Sequence, residues 1–349
     1  MSTAYCSPDR RFTFLDSPEF FSLFLHLFGC IAFPVYFLGC YCILFRTPPQ
    51  MRSLKWPLLN LHIWTSLFDI GFSLLTTPYL LVPVMGGYSL GLLQFIGIGI
   101  LAQSFIMTII GGIMCVSILG IFENRFLILS SPHHPWRNFR TAWYICNYIV
   151  SPMFFSPVVL FKTLDYREDE MKGFILEKLP CLPEKVRNAP LFSLSEWKDL
   201  SLACVAFQGV FIAFQISMLV LQIILALRTY GKSHSKRTVE LQKRFMKALV
   251  VQLALPLVIV YFPVFYCAFS AATNYYNQAL NNFSFTVIAS HGFFSTITML
   301  IVQAPYRSFL LEFACGKAYR KNTMELNSIT VQPTTMSAGR QRILNPVEF

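Results

Sequence analysis

The amino-acid sequence predicts an all-α membrane protein, built as a bundle of seven transmembrane helices. Its residues are 55% hydrophobic and only 13% charged, and the mean hydropathy is +0.54. A soluble domain of 349 residues needs more polar surface than this composition supplies. Seven apolar stretches, each long enough to cross a hydrocarbon core of roughly 30 Å, alternate with polar connections. Most of the ten cysteines lie inside these stretches and do not indicate a disulfide scaffold.

The predicted elements are an N-terminal segment, the bundle and a C-terminal part. Residues 1–19 are polar and lack a cleavable signal peptide, so they are predicted as an extracellular N-terminus. Residues 305–321 are predicted as an amphipathic helix along the membrane interface, and residues 322–349 as a disordered cytoplasmic tail. The bundle, residues 20–304, contains spans at about 20–45, 57–84, 90–122, 141–161, 201–227, 248–270 and 283–304.

Prolines and glycines mark where the first two helices end. Thr47-Pro48-Pro49 stops the first helix directly after Arg46, because proline cannot continue a helix. Pro78 and Pro83 break the second helix near its end. Met85-Gly86-Gly87 is then predicted as the turn that leads to the third helix.

The third apolar stretch is the longest and holds no charged residue between Leu90 and Glu123. As a continuous helix from Leu90 to Arg125 it would be about 50 Å long, so it is predicted to tilt and to carry its charged end into water. The small residues that recur along it are Ser104, Thr108, Gly111, Gly112 and Cys115. They would let neighbouring helices approach closely. A helix that conducts a conformational signal and a merely lipid-facing helix both fit this pattern.

The basic residues predict the orientation of the bundle. Seven spans place the two termini on opposite sides, and the cytoplasmic side carries the excess of Lys and Arg. The connections after the first, third and fifth helices and the C-terminal segment hold nineteen of the 28 Lys and Arg residues. Seven of the other nine lie in the longest polar connection, residues 162–200, where eight acidic residues balance them. The N-terminus is therefore predicted outside and the C-terminus in the cytoplasm.

Asp69 is the only acidic residue inside a predicted span. An ionisable group at this depth is costly, so we expect it to face the bundle interior and to serve a function. His62, Ser66, Ser73 and Thr76 share its helix face. The predicted intramembrane polar seam comprises His62, Asp69, Ser73, Gln103, His291 and Ser295. Such a seam could bind an ion or rearrange between states, or it could only supply hydrogen bonds between helices.

The residue clusters typical of an enzyme are missing from the sequence. A lone intramembrane aspartate cannot form an acid pair, no two histidines lie four apart on a helix as zinc ligands do, and no glycine-rich loop fits a phosphate. The sequence therefore predicts no catalytic residue, no metal site and no cofactor. The net charge of +11 comes largely from connections beside the membrane and does not indicate nucleic-acid binding. An odd number of spans without an evident repeat disfavours a transporter.

Short pieces of sequence, in a particular order and spacing, carry a resemblance from Ser17-Pro18-Glu19-Phe20 to Tyr306-Arg307. The pieces between are Thr47-Pro48 to Met51, Lys55-Trp56, Leu61-His62-Ile63-Trp64, Pro78-Tyr79, Gly87-Tyr88, Leu90-Gly91-Leu92, Phe122-Glu123-Asn124-Arg125, Gln252, Pro256, His291-Gly292 to Ser295-Thr296 and Pro305-Tyr306-Arg307. Over nearly its whole length the chain resembles the nematode serpentine receptor class H family of chemoreceptor-like, seven-helix G-protein-coupled receptors.

This resemblance implies a chemosensory receptor in the ciliary plasma membrane of sensory neurons. It would bind a small-molecule ligand from outside and activate a heterotrimeric G protein. The expected coupling and switch residues are Glu123, Arg125, Lys243, Arg244, Lys247, Pro256, Tyr306 and Arg307. Glu123-Asn124-Arg125 stands where broader rhodopsin-like receptors carry an acid-Arg-aromatic triplet. A ligand-gated channel subunit of the odorant-receptor type, which has the opposite orientation, and a membrane protein without a ligand are the alternatives.

Cys6 and Cys181 are the two cysteines that lie outside the membrane in this topology. Both face an oxidising compartment, where thiols tend to pair. No cysteine at the outer end of the third helix competes for either of them. We therefore predict a disulfide between Cys6 and Cys181 that holds the N-terminal segment against the long connection. The alternatives are two free thiols and pairing with other chains.

Overall fold

The structure is a computed structural model that describes residues 4–153, 168–193, 198–233 and 235–315. The chain forms two units, Met1–Tyr306 and Arg307–Phe349. The first unit is a bundle of long helices with a small antiparallel sheet in its connections. Of the second unit the structure describes residues 307–315, which are helical.

Eight helices make up the described part of the bundle and are labelled in chain order. They are α1 (Pro18–Phe45), α2 (Arg52–Ile70), α3 (Ile100–Leu129), α4 (Trp136–Met153), α5 (Lys198–Ser233), α6 (Lys236–Thr273), α7 (Gln278–Ala289) and α8 (His291–Val302). Shorter helices in the connections are Phe14–Asp16, Pro49–Met51, Leu92–Phe95, Glu168–Lys178 and Glu184–Arg187. Helix Ala304–Cys315 follows α8.

Within the described residues, five helices are long and apolar enough to cross a membrane. They are α1, α2 together with the π-helical turn Gly71–Leu75 that extends it, α3, α5 and α6. α7 and α8 together make a sixth crossing, bent by 42° between its halves. α4 supplies 18 residues around the predicted fourth span, and the rest of that span, residues 154–161, lies outside the described residues.

The second span differs from the predicted 57–84 at both ends. α2 begins at Arg52 and is α-helical to Ile70, and the π-helical turn Gly71–Leu75 follows it. Thr76 closes the turn, because its Oγ1 donates to the Gly71 carbonyl at 2.8 Å. The helix cannot continue through Pro78, which has no backbone N–H to donate.

A hairpin, rather than the end of a helix, follows this turn. β1 (Pro78–Leu81) pairs antiparallel with β2 (Gly86–Ser89), and β3 (Phe192–Ser193) adds to the other edge of β2. Gly87 is needed for the pairing, because a Cβ at this position would lie 2.3 Å from the carbonyl oxygen of Tyr79. The turn residues are recognisable from the sequence, but the strands on either side of them were not predicted.

The third span also departs from its predicted bounds of 90–122. Leu92–Phe95 forms a separate short helix, and α3 starts only at Ile100 and runs to Leu129. Glycines cause the interruption. Gly97 adopts a left-handed conformation with φ of 79°, and Gly99 is the extended residue before α3. The 30 residues of α3 make a helix about 45 Å long.

The fifth and sixth helices are longer than the predicted 201–227 and 248–270. α5 runs to Ser233 and α6 starts at Lys236, so the basic connection between them is helical on both sides. Many of its residues are good helix formers, which the hydropathy pattern alone does not show. The predicted seventh span, 283–304, is the bent pair α7 and α8. Residues 316–321 of the predicted interfacial helix and the predicted disordered tail, 322–349, lie outside the described residues.

Three connecting segments fold together at one end of the bundle. We call them the cover and define it as residues 4–16, 78–89 and 168–193. They share an apolar core whose buried members include Tyr79, Leu81, Val84, Tyr88, Ile175, Leu179, Leu182, Val186 and Leu191. Phe21 and Leu25 of α1 and Ala289 of α7 belong to the same core. The cover therefore packs on the first and seventh spans.

Candidate functional site

Asp69 lies buried inside the bundle, with 1% of its surface exposed. Its Oδ2 accepts a hydrogen bond from the Tyr36 hydroxyl of α1 at 2.7 Å and another from the backbone N–H of Phe293 in α8 at 2.9 Å. Hydrogen bonds to a charged carboxylate are stronger than those between neutral groups. Asp69 therefore ties the second span to the first and to the seventh.

The imidazole of His291 lies beside the same carboxylate. Its Nδ1 is 2.8 Å from Asp69 Oδ1 and 3.0 Å from the carbonyl oxygen of Ile288. Nδ1 carries at most one hydrogen, so it can donate to only one of these oxygens at a time. Within the described residues Oδ1 has no aligned hydrogen bond. Nε2 lies 3.2 Å from Met114 Sδ, which adds α3 to the helices that meet here.

The seventh span breaks at Ser290, and Asp69 compensates for the break. In an unbroken helix the N–H of Phe293 would bond to the carbonyl four residues earlier, at Ala289. Because α8 starts anew at His291, the N–H groups of its first turn need other acceptors. Asp69 supplies one, and its negative charge also suits a helix N-terminus.

Two glycines allow the helices to approach at this site. A Cβ on Gly292 would lie 2.8 Å from the Thr65 carbonyl oxygen and 2.9 Å from Asp69 Oδ2. A Cβ on Gly39 of α1 would lie 2.6 Å from Cε1 of His62. All three distances are shorter than the contacts that real Cβ atoms make, so any larger residue at either position would have to move its neighbours.

His62 forms a second layer of the same site. It is 4% exposed, and its Nε2 lies 2.9 Å from the backbone oxygen of Tyr36. Its Nδ1 lies 3.4 Å from Oγ1 of Thr296 in α8. His62 therefore links the same three spans as Asp69, but through weaker and neutral contacts.

The structure brings together only part of the predicted seam. Asp69 and His291 are in contact, and His62 is connected to Asp69 through Tyr36. Ser73 is buried against α1, and Ser295 is half-buried. Gln103 lies elsewhere, because its Oε1 accepts from Ser89 Oγ at 2.7 Å and its Nε2 donates to the Ile98 carbonyl at 2.7 Å. It fastens the start of α3 to the hairpin, a contact that helix periodicity does not reveal.

Sequence reasoning missed three residues of this site, Tyr36, Gly292 and Thr296. Tyr36 and Thr296 are polar residues within apolar helices, and Thr296 directly follows the predicted Ser295. A search for polar groups on the first helix would have found Tyr36. The role of Gly292 follows only from the distance to Asp69 across the interface.

Glu123, Asn124 and Arg125, near the end of α3, form hydrogen bonds with three different helices. Glu123 is fully buried and accepts hydrogen bonds from three residues of α4. The donors are Trp136 Nε1 at 3.1 Å, Arg140 Nε at 3.2 Å and the Tyr144 hydroxyl at 3.0 Å. The guanidinium of Arg140 also makes this contact an ion pair. Glu123 therefore anchors α4 firmly to α3.

The other two residues of the triplet point to other helices. Asn124 Nδ2 donates to the Ser53 carbonyl at the start of α2, at 3.1 Å. Arg125, 6% exposed, donates from its guanidinium to Oε1 of Gln242 in α6. A pair of amides also contacts α6: Gln303 Nε2, in the residue that follows α8, donates to Gln252 Oε1 at 2.9 Å. The two side-chain hydrogen bonds to α6 thus end on neutral amides, Gln242 and Gln252, whereas α4 is joined to α3 by an ion pair.

The remaining predicted coupling residues lie on α6 and beyond α8. Lys243, Arg244 and Lys247 are exposed, and Arg244 pairs with Glu240 one turn earlier on the same helix at 3.2 Å. Pro256 is buried inside α6. The hydroxyl of Tyr306, 0% exposed, lies 2.8 Å from Thr47 Oγ1, and Arg307 belongs to the second unit.

The cover is held together by a disulfide and by backbone hydrogen bonds. Cys6 and Cys181 are joined, with their Cα atoms 6.0 Å apart, and the N–H of Tyr5 donates to the carbonyl of Lys178 at 2.7 Å. The Tyr79 hydroxyl donates to the Asp16 carbonyl at 2.6 Å. Burial raises the pKa of Tyr79, so its hydroxyl stays protonated and remains a donor.

Comparison with known proteins places these features in a family. The family model described as "Serpentine type 7TM GPCR chemoreceptor Srh" matches residues 16–316. The Serpentine receptor class H-72 of Caenorhabditis elegans is 27% identical over 319 residues, which cover 87% of this chain and 88% of that receptor. No solved structure matches the chain significantly.

The membrane-spanning helices and the family match together define a multi-pass membrane protein. The chain belongs to the Srh family of seven-transmembrane chemoreceptors, whose model covers more than half of its length. The expectation of a seven-helix membrane bundle and the resemblance to serpentine receptor class H are both confirmed.

Proposed function

We propose that this protein is a chemosensory receptor that binds a small environmental ligand from the extracellular side and activates a heterotrimeric G protein. We place it in the ciliary plasma membrane of sensory neurons, with the N-terminus outside. Family membership and the excess of basic residues after the first, third and fifth helices support this proposal. In this orientation the cover is extracellular and the Glu123-Asn124-Arg125 triplet is cytoplasmic.

The triplet is the observation that carries the proposal. Glu123 holds α4 through an ion pair with Arg140 and two further hydrogen bonds, so this contact is costly to break. Arg125 donates to the neutral amide of Gln242, a type of bond worth about 1.5–3 kcal/mol. A conformational change at this end would therefore separate α6 from α3 before it separates α4 from α3.

The mechanism is a two-state switch biased by ligand. A ligand shifts the bundle only by the difference between its affinities for the two states. α6 is the moving part, since Pro256 and Pro263 interrupt its backbone hydrogen bonds and its cytoplasmic end is tied through amides. Its displacement frees Arg125 and opens a surface lined by the exposed Lys243 and Lys247 for the G protein.

The position of the cover suggests where the ligand binds. Its apolar core fills the extracellular end beside Phe21 and Leu25 of α1 and Ala289 of α7. Among the described residues this core has no member in α3, α5 or α6. We therefore place the ligand among these helices and the adjoining face of the seventh. A ligand there would contact α6 directly.

Basal signalling tests this mechanism without a known ligand. We expect Gln242→Ala to raise basal G-protein signalling at equal surface expression, because it removes an acceptor that joins Arg125 to α6. Arg125→Ala should lower signalling, and the double variant should signal no more than Arg125→Ala. Glu240→Gln is the matched control, since it alters only an exposed pair with Arg244 on the same helix.

The outcomes separate the receptor from its rivals. Unchanged signalling in both Gln242→Ala and Arg125→Ala, with normal surface levels, would contradict the proposal. A ligand-evoked current that persists in cells without G proteins would favour a channel instead.

A further inference from the structure

Three side-chain amides in the first two turns of α7 form hydrogen bonds with the backbone of the cover. All three are buried, and each donates to a carbonyl oxygen of the cover. The bonds run from Gln278 Nε2 to Leu80 at 3.2 Å, from Asn281 Nδ2 to Val82 at 3.0 Å and from Asn282 Nδ2 to Leu15 at 2.8 Å. Arg10 adds a fourth bond, to the Tyr276 carbonyl just before α7, at 2.8 Å. α7 is therefore attached to both the N-terminal segment and the hairpin.

The three segments of the cover are bonded to each other. The disulfide joins Cys6 to Cys181, β1 and β2 pair along four residues each, and a shared apolar core lies between them. A force on any of its segments therefore reaches the amides of α7. From Asn281 to the break at Ser290 the chain runs nine residues as a helix, about 14 Å. α7 thus connects the cover rigidly to the break.

The break itself has two possible hydrogen-bond arrangements. The N–H of Phe293 donates to Asp69 Oδ2, whereas in a straight helix it would donate to the carbonyl of Ala289. One N–H cannot serve both acceptors well, so the bent and straight forms of the seventh span compete for it. Straightening the span releases Asp69, and holding α7 at its present angle keeps Asp69 engaged.

We infer that the seventh span is a hinge at Ser290 through which the cover controls Asp69. Gln278, Asn281 and Asn282 are positioning residues in this device, because they set the angle of α7 without touching Asp69. An event that displaces the cover straightens the span and exchanges the partner of the Phe293 N–H. This inference rests on the geometry of the seventh span and holds whether or not the protein couples to a G protein.

The partner of the Phe293 N–H can be measured directly. We would record amide spectra of full-length protein in nanodiscs, labelled with ¹⁵N-phenylalanine, and assign Phe293 from the signal lost in Phe293→Leu. Asp69→Asn defines the position of the signal without the carboxylate. We expect Asn281→Ala to shift the Phe293 signal toward that position, although the altered side chain lies about 14 Å along the helix.

Two control variants separate the hinge from general damage. Asn281→Gln keeps a donor amide and is expected to restore the native signal. Thr286 lies on α7 between the three amides and the break, and its hydroxyl donates to the Asn282 carbonyl of the same helix. Thr286→Ala is therefore the second control. It should leave the signal unchanged. If Asn281→Ala does not fold, Asn282→Ala releases Leu15 and is expected to give the same shift.

A second measurement uses thermal stability. The effects of two substitutions on stability normally add when the sites are more than about 10 Å apart. If the hinge connects them, the melting temperature of the Asn281→Ala, Asp69→Asn double variant will fall by less than the sum of the single changes. A Phe293 signal that stays native in folded Asn281→Ala and Asn282→Ala protein, or strictly additive melting temperatures, would overturn the inference.

Discussion

Gly292 and Asp69 are in contact across the interface between the seventh and second spans, and the contact leaves no room for a side chain. A Cβ on Gly292 would lie 2.9 Å from Oδ2 and 3.0 Å from Cγ of the carboxylate. The missing side chain is what lets Asp69 reach the N–H of Phe293 at the start of α8. An acid within the membrane is thus compensated by the free end of a helix.

Gly292→Ala is expected to destabilise the receptor by about 1–3 kcal/mol, the usual cost of overpacking a tight interface. The Thr65 carbonyl, 2.8 Å from the new Cβ, belongs to a helix backbone and cannot move aside cheaply. The measurement is the thermal midpoint of purified protein together with surface expression. Gly209→Ala on α5 is the matched control, because no atom lies within 4 Å of its new Cβ. Equal midpoints for the two variants would contradict the tight contact.

Asp69→Asn is expected to lower stability by about 1–3 kcal/mol and to alter signalling more than surface expression. Asparagine keeps an oxygen that can accept from Phe293, but it removes the charge that strengthens this bond and the one from Tyr36. Dose response and thermal midpoint measure the two effects. Ser66→Ala, on the same face of α2, should cost nothing, since Ser66 Oγ has no hydrogen-bond partner among the described residues. An Asp69→Asn receptor with native dose response would reduce the site to a structural role.

Cys6→Ser and Cys181→Ser are expected to cause the same defect in trafficking or ligand response, with the double variant no worse than either. The disulfide closes a loop of 175 residues, for which chain entropy gives at most about 5 kcal/mol, and the membrane already confines most of that loop. Cys30→Ser removes an exposed free thiol and serves as the control. Strictly additive defects, or peptide mapping of non-reduced protein that finds both thiols free, would refute the bond.

The orientation predicts that an epitope tag after Met1 is reached by antibody on intact cells, whereas a tag after Phe349 requires permeabilised cells. The physical reason is the excess of Lys and Arg on connections that the sequence assigns to the cytoplasm. Immunofluorescence with and without detergent measures both tags. The reverse pattern would favour the inverted, channel-type topology.

Most of the membrane architecture could be predicted from the sequence, because span length and hydropathy are properties of contiguous residues. Asp69 was found in the same way, since one acid in a long apolar stretch stands out without any knowledge of its neighbours. The charge count that orients the bundle is equally local. The element bounds were less certain, as the hairpin at Pro78–Leu81 and Gly86–Ser89 shows: turn residues are visible locally, but the third strand, Phe192–Ser193, comes from more than one hundred residues away.

By itself, the sequence determined that this is a membrane bundle with one acid, Asp69, inside a predicted span, because hydropathy and charge are properties of single residues and short stretches. Only the tertiary structure decided which groups meet that acid. Tyr36 and Phe293 lie 33 and 224 positions from Asp69, and helix periodicity does not specify which faces of distant helices meet. The break at Ser290 was likewise decided by the tertiary structure. A helix gives up the backbone hydrogen bond from Phe293 only where another acceptor is already in place, and here the fold places the Asp69 carboxylate there.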